Sequence, residues 1–380
     1  MRLYEFEGIE LFRREGIPVP EYALATSPEE ALEKAQGIGL PVVLKAQVLV
    51  GGRWLAGGVE VAKSLDDVLR ASRRILGSSI RGMPVHKIMV ASGVEVAQEF
   101  YLSISIDDYA GTPLAILSAE GGVSIDRIAR ERSEAVVSRF VSISQGLKLS
   151  EARQMCRKVG LSGRDLTEVA GVLTALYRVF RTYDALIAEI NPLVRTPEGK
   201  YLALDAKVEI DDSSLYRHPD LNLKLEEHIL NPLERKGREI GVSYLELDGD
   251  IAIIASGAGL GMTTMDIISQ RMRPANFLET GGAITADLLY KVMDLVLQKK
   301  GVKAIFINIY GGINPIHEGA RGIVRYMQEH NITIPVVAKA LGNHQEETWE
   351  IFRQHGVHVV TDVSTEKGVE ELARLLRGEK

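Results

Sequence analysis

From residue 251 onward the chain repeats one pattern: a short apolar run followed by an amphipathic stretch of helical period. The runs are 251–255, 275–278, 304–309, 335–340 and 357–361; the helical stretches are 261–271, 285–298, 318–330, 345–354 and 365–377. Parallel strands need crossovers, and strands covered on both faces read as continuous apolar runs. Five such units in succession therefore predict an α/β domain: a doubly wound parallel sheet with helices on both faces. Three strand ends carry glycine loops: Ser256-Gly257-Ala258-Gly259-Leu260-Gly261, Thr280-Gly281-Gly282-Ala283 and Gly311-Gly312-Ile313-Asn314. In open α/β sheets ligands bind at that carboxyl edge, and helix N-termini there attract anions. The first loop lacks the dinucleotide fingerprint spacing. Three ordinary turns in a doubly wound sheet would read the same way.

The first half mixes the two periods differently. Helical patterns cover 7–15, 28–36 (Ser27 as N-cap, Pro28 at the first position), 64–76, 151–159 and 165–183. Strand patterns cover 41–50, 87–91, 94–107 and 114–118. A hairpin is expected from 186–194 and 201–210 around Pro197-Glu198-Gly199. From 211 to about 241 the chain turns polar, which places a linker near 225–247. The expected domains are 1–238 and 239–380.

Composition narrows the function. The 380 residues carry a formal net charge of -6, whereas nucleic-acid binders usually show a basic stripe. The single Cys156 excludes a disulfide framework and a cysteine zinc site. No apolar run approaches the roughly 20 residues of a membrane span, and from the charged start, Met1-Arg2-Leu3-Tyr4-Glu5, no secretory leader is expected. The expectation is a cytoplasmic protein with no nucleic-acid or membrane partner. None of the 8 histidines stands in an evident nucleophile, triad or metal setting, so surface or packing roles are expected for all.

Three motifs in the first half carry chemistry. In the strand pattern around Val42-Val43-Leu44-Lys45-Ala46-Gln47, Lys45 and Gln47 share a face, and Gly51-Gly52-Arg53-Trp54-Leu55 follows. A lysine point charge, an arginine fork and glycine N–H groups together suit phosphate. A snorkelling lysine beside a plain turn fits the spacing equally well. In Val94-Glu95-Val96-Ala97-Gln98-Glu99, Glu95 and Glu99 share one face of an expected strand; Glu99 suits a ribose or an exocyclic amine, while a solvated face is the simpler reading. Glu189-Ile190-Asn191-Pro192 and Leu204-Asp205-Ala206-Lys207 occupy the hairpin arms. With the turn centred on Glu198, Asn191 falls opposite Asp205 and Glu189 opposite Lys207, about 5 Å apart at Cβ. One amide oxygen and one carboxylate suit Mg²⁺, which takes one or two protein oxygens and fills the rest with water and phosphate. Salt-bridged edge residues are the alternative.

Taken in order, these motifs resemble the succinyl-CoA synthetase β-subunit family, the nucleotide-forming acid–CoA ligases. The resemblance runs through Leu3-Tyr4-Glu5-Phe6, Lys45, Gly51-Gly52-Arg53, Glu120-Gly121-Gly122-Val123, Glu189-Ile190-Asn191-Pro192, Leu204-Asp205-Ala206-Lys207, Tyr216-Arg217-His218-Pro219 and Asn308-Ile309-Tyr310-Gly311-Gly312-Ile313. It implies an ATP-grasp domain followed by a flavodoxin-like CoA-ligase domain. It also implies an α-type partner subunit that holds CoA and carries a phosphohistidine, in an αβ or α2β2 assembly. By position, Lys45, Gly52, Arg53, Trp54 and Glu99 would bind ATP/ADP (or GTP/GDP), and Asn191 and Asp205 would bind Mg²⁺. Glu189 would be catalytic, facing the phosphohistidine. Ser256, Gly312, Ile313 and Asn314 would bind the carboxylic acid. This chain departs from the family at Trp54 and Leu55 (for glycine and lysine), Ala91 (glutamate), Ser256 (asparagine), Asn314-Pro315-Ile316-His317 and Lys339 (arginine). The departures at the acid end imply an acid other than succinate: a hydroxylated or larger dicarboxylate, or a sulfonated acid. Plain succinate specificity, a weakly catalytic nucleotide-sensing scaffold and an ATP-grasp carboxylate–amine ligase are the competing readings.

Overall fold

The computed structural model describes residues 1–378 except 123, 124 and 283. Val123 and Ala283, each at the end of a glycine motif, thus lie outside the described residues. The chain divides into two compact units, Met1–Lys224 and Leu225–Lys380.

Among the described residues the first unit contains two larger antiparallel sheets, besides a two-stranded ladder of Ser79–Ile80 and Met83–Pro84. The four-stranded one runs Tyr22–Ala25, Ile88–Ser92, Val42–Ala46, Val59–Ala62. Helices Pro28–Ile38 and Leu65–Leu76 cover one face, over a core of Val42, Leu44, Ala46, Ala71, Ile75 and Val90. Both begin at serine caps: Ser27 accepts from the Glu30 N–H and Ser64 from that of Asp67. The alternation in Val42–Ala46 buries Val42, Leu44 and Ala46 and leaves Lys45 on the opposite face. The second sheet runs Tyr201–Ala203, Ala185–Arg195, Gln98–Asp107, Thr112–Ser118, Val136–Phe140, with Lys207–Ile210 also paired to Ala185–Arg195. Helix Gly163–Thr182 packs against it and buries Val169, Leu173, Leu176 and Phe180. Cys156 is fully buried, and burial pushes its thiol up to about 12, an inert packing residue.

The strand expected over 94–107 begins only at Gln98. Ile88–Ser92 belongs to the first sheet and Gln98–Asp107 to the second, so the chain leaves one ladder before entering the other. Continuous β-propensity conceals that crossover, and Glu95 falls on the connection, exposed.

In the second unit the strand order is Ser243–Glu246, Asn276–Glu279, Ile251–Ala255, Ala304–Gly311, Val336–Gly342, His358–Val359. The last five are parallel in the flavodoxin-like order 2-1-3-4-5, and Ser243–Glu246 adds an antiparallel edge. Alternate residues feed opposite layers. Ala252, Ile254, Ile305 and Ile307 pack under helices Ala286–Gln298 and Ile316–Glu329, while Ile251, Ile253 and Phe306 pack under Ala258–Ser269 and Thr365–Leu376. The stretch expected as a linker is structured. Helix Pro232–Glu239 lies on Ser243–Glu246, and Leu233, Ile240, Val242 and Tyr244 join the core. Its polarity belongs to the solvent face of a short amphipathic helix, and a four-residue edge strand is too brief to register as a period.

Gly319 and Gly322 let helices Ile316–Glu329 and Ala286–Gln298 approach closely. A Cβ at Gly322 would lie 2.0 Å from the Ala286 carbonyl oxygen. Gly322→Ala is expected to force this pair apart and to lower the stability of the second unit by about 1–3 kcal/mol, read from the urea midpoint.

Candidate functional site

The first helix, Glu5–Arg14, buries Glu5 among apolar neighbours on the same face, Ile9 and Phe12. A carboxylate there must be paired, since burial of an isolated charge is costly. Lys45 donates to Glu5 Oε1 at 2.9 Å, Arg53 Nη1 bonds Glu5 Oε2, and Arg53 Nη2 reaches Asp205 Oδ1 at 2.8 Å. Lys45 also donates to the Leu204 carbonyl, and Arg53 to that of Ala46 at 3.1 Å. Gln47 joins through its amide, 3.4 Å from Glu5 Oε2. Burial alone would raise the Glu5 carboxyl, but the Lys45 and Arg53 charges hold it below the usual carboxylate range. Arg53 is held charged: burial works against it, and Glu5 and Asp205 outweigh burial. Asp205 keeps 41% of its side chain accessible. Burial in the cavity wall and the Glu5 charge push its carboxyl up, against the pull of Arg53 and Lys45.

The turn after Lys45 positions Arg53. Ala46 N–H donates to the Gly58 carbonyl and Gly58 N–H to that of Arg53, which closes the loop back onto the strand. Gly52 has φ +72, and a Cβ there would meet the Arg81 guanidinium at 2.7 Å. Trp54 is 66% and Leu55 88% exposed on the turn.

The hairpin register is the expected one. Leu193 pairs Ala203 on one side and Glu189 pairs Lys207 on the other. The arm itself is interrupted: 204–206 lie outside both Tyr201–Ala203 and Lys207–Ile210. Asn191 and Asp205 therefore face each other across a gap in the ladder rather than as paired strand residues. On the opposite edge, pairing with Gln98–Asp107 slips by one residue between Ile190 and Leu193. Pro192 offers no N–H there, and such bulges re-aim side chains. Asn191 Oδ1 accepts from the Gly122 N–H at 2.8 Å. Glu189 Oε2 accepts from Tyr101 Oη at 3.1 Å and lies 3.5 Å from Lys207 Nζ. Gly122, at φ +74, holds a backbone conformation that favours glycine, and a Cβ there would push aside the Glu99 carboxylate, whose Oε2 lies 2.1 Å from its place. Lys45, Gly52, Arg53, Trp54, Glu99, Glu189, Asn191 and Asp205 all line one cavity of about 840 Å³ within the first unit, with Ala91 on its wall. Hard oxygen donors beside two fixed cations suit a metal–phosphate ligand.

The second unit gathers its glycine loops at the carboxyl edge. Ser256 Oγ accepts from the Tyr310 N–H at 2.8 Å and donates to the Tyr310 carbonyl at 3.2 Å, tying the first loop to the third. Asn314 Nδ2 comes within 3.4 Å of where a Gly282 Cβ would sit, so the second loop adjoins the third. Ile313 is 92% exposed, and its carbonyl is held by Asn343 Nδ2 at 2.9 Å. Beneath the edge, Asn308 donates to Thr264 and Thr365 at 2.8 and 3.2 Å, with Lys339 Nζ 3.4 Å from its oxygen. Burial lowers the Lys339 pKa, opposed by Glu366 and Asp362.

Sequence reasoning missed Glu5, Tyr101 and Gly122 as site residues. The signal for Glu5 is a carboxylate in phase with the apolar stripe of its helix; for Gly122, a second glycine directly after Gly121. Tyr101 carries none, because its hydroxyl meets Glu189 only through strand pairing.

Compared with known proteins, residues 2–195 match the family described as ATP-grasp domain and residues 254–371 the family described as CoA-ligase. A succinate–CoA ligase [GDP-forming] subunit beta of Thermus thermophilus is 41% identical over 371 residues, covering 97% of this chain and 98% of that one. A succinate–CoA ligase [ADP-forming] subunit beta of Ignicoccus hospitalis is 38% identical over 378 residues, covering 99% and 100%. ATP citrate lyase from Methanothrix soehngenii, solved with citrate and coenzyme A, shares the fold with a TM-score of 0.74 at 17% identity, covering 98% and 99%.

Glu5→Gln is expected to cost about 3 kcal/mol at neutral pH, since it leaves buried cations underpaired. The Glu5 carboxyl titrates lower folded than unfolded. Its stabilisation is therefore full above the unfolded carboxylate value and is lost as pH falls through the folded one. Denaturant midpoints measured from pH 7 downward should show a shallower acid loss in the variant.

Proposed function

The chain belongs to the succinate–CoA ligase β-subunit family of ATP-grasp acid–thiol ligases, and from that premise we propose that it binds a Mg²⁺–nucleotide in the cavity of its first unit and an organic acid at the carboxyl edge of its second. It works with a separate α-type subunit that holds CoA and presents a phosphorylated histidine, in an αβ or α2β2 complex in the cytoplasm. What supports this reading most is that the fixed cations Lys45 and Arg53, the oxygen-bearing side chains of Asn191 and Asp205, and Glu189 line one cavity.

Lys45 and Arg53 meet the phosphates, with Glu5 keeping both in place so that little reorganisation accompanies binding. Gly52 lets the loop backbone approach. Asn191 and Asp205 hold Mg²⁺, which when bound neutralises phosphate charge. Glu99 lies where it accepts from the ribose or base, and Trp54, exposed on the same rim, covers the nucleotide. Glu189, oriented by Tyr101 and Lys207, accepts from the partner's imidazole and fixes its ring for phosphate transfer.

At the second site Ser256 and the Gly312-Ile313-Asn314 loop receive the acid. Its carboxylate takes phosphate from the phosphohistidine as the P–N bond breaks, and the CoA thiol then displaces phosphate from the acyl phosphate. Ser256 in place of asparagine and the Asn314-Pro315-Ile316-His317 stretch change the shape and polarity of the acid end, which favours a hydroxylated or larger dicarboxylate, or a sulfonated acid. The names of the relatives favour succinate instead. We assign ATP/ADP as nucleotide; the relatives carry both GDP- and ADP-forming names.

The deciding assay is CoA- and nucleotide-dependent hydroxamate formation by the chain co-purified with its α-type partner, across a panel of acids including succinate. Turnover is expected with an acid other than succinate, and Lys45→Ala should lower kcat/KM roughly 10²-fold or more. Preference for succinate over every other acid would sink the substrate assignment, and no turnover with any acid would sink the enzyme reading. Of the 2 tryptophans, Trp349 lies in the second unit with its N–H on the Ala340 carbonyl. Mg²⁺–ADP is therefore expected to change fluorescence through Trp54, a response that Trp54→Phe should abolish.

A further inference from the structure

Two histidines assigned by sequence to surface or packing roles stand together at the carboxyl edge of the second unit. His317 lies in the first turn of helix Ile316–Glu329, directly after the third glycine loop. His344 caps helix Gln345–Gln354, which follows strand Val336–Gly342. Its φ is +61, an uncommon value for a residue other than glycine. The two rings lie 4.5 Å apart at their centroids, and Glu347 closes the group. Glu347 Oε2 is 3.4 Å from His344 Nδ1 and 3.9 Å from His317 Nε2. One donor atom from each of the three residues fits within 4.8 Å of the others.

We propose that His317, His344 and Glu347 form a binding site for a zinc-type divalent transition metal, separate from the Asn191–Asp205 pair of the first unit. Two imidazole nitrogens and one carboxylate oxygen are a donor set that zinc accepts, with a fourth tetrahedral position left for water. Ligand atoms about 2.0–2.1 Å from a tetrahedral ion stand roughly 3.3 Å apart, so donors that lie within 4.8 Å of one another must draw together on binding. Nitrogen donors select against Mg²⁺ and Ca²⁺.

The surroundings fit a cation. Arg321 holds Glu347 Oε1 at 2.8 Å and Glu318 Oε1 at 2.7 Å, which turns Glu347 Oε2 toward the imidazoles. Two carboxylates against one guanidinium leave net negative charge. Glu318 Oε1 also lies 3.3 Å from His317 Nε2. His317 Nδ1 is buried without a hydrogen-bond partner among the described residues, so that ring interacts through its Nε2 edge, which lies between Glu318 and Glu347. Entry is open, with His344 49% and Glu347 42% accessible. The ion would staple the 312–317 loop to the 342–347 loop, two segments already joined through Asn343 and Ile313.

The test uses the full chain without a histidine tag, stripped with chelator. Zn²⁺ is titrated by calorimetry and Co²⁺ followed by its ligand-field absorption. One ion per chain is expected, not displaced by excess Mg²⁺. Glu347→Gln should weaken binding by about tenfold or more, and the double variant His317→Ala/His344→Ala should abolish both signals. His358→Ala, outside the cluster, should change neither. The proposal is overturned if no stoichiometric ion binds, if Mg²⁺ displaces it, or if the double variant, folded by circular dichroism, binds as the parent does. Should the double variant fail to fold, Glu347→Gln decides alone, and unchanged Zn²⁺ affinity there overturns the proposal.

Discussion

A buried carboxylate organises the first unit. Glu5, with a side chain only 2% accessible, holds Lys45 from the four-stranded sheet and Arg53 from the loop beyond it. Arg53 carries the connection on to Asp205. Removing one partner of such a group leaves the others charged and desolvated, so the parts must be assembled together. The network thereby locks the first helix, a central strand, a glycine loop and the interrupted hairpin arm into one cavity wall. A ligand rich in phosphate would find its cations already aimed.

The other wall depends on irregularity. Regular pairing would keep Asn191 and Asp205 in a ladder, with their neighbours' backbone groups spent on one another. The one-residue slip at Asn191–Pro192 and the unpaired segment 204–206 open that ladder where the two oxygen-bearing side chains lie. The Ala206 N–H left free in this way goes to Asp205 Oδ1 at 2.9 Å, and Asn191 Oδ1 accepts from the Gly122 N–H of another loop. In the second unit the same economy appears at loop level, where Ser256 and Asn343 bond to neighbouring loops and Asn314 lies against the second one.

Much of this was legible in the sequence. The doubly wound sheet followed from five apolar runs separated by helical periods, and helix Gln345–Gln354 appears with the expected bounds. Lys45 opposite the apolar face and Glu189 opposite Lys207 followed from strand alternation and one turn centre. Less legible were the features that depend on which sheet a strand joins. Glu95 left its expected strand because the chain changes sheets there, and 225–247 proved to be a packed helix and an edge strand.

Sequence by itself determined the local order: which segments are helical or extended, which faces are apolar, and which residue types follow one another in the motifs. These properties rest on neighbours within a few positions, where periodicity and capping act. Only the tertiary structure decided which distant charges meet. Glu5 and Lys45 are 40 residues apart, Arg53 and Asp205 are 152, and His317 and His344 lie on different helices. No local period encodes such pairings. They arise because a charge removed from water must find its partner within a few ångströms, and packing of the whole unit determines which one is there.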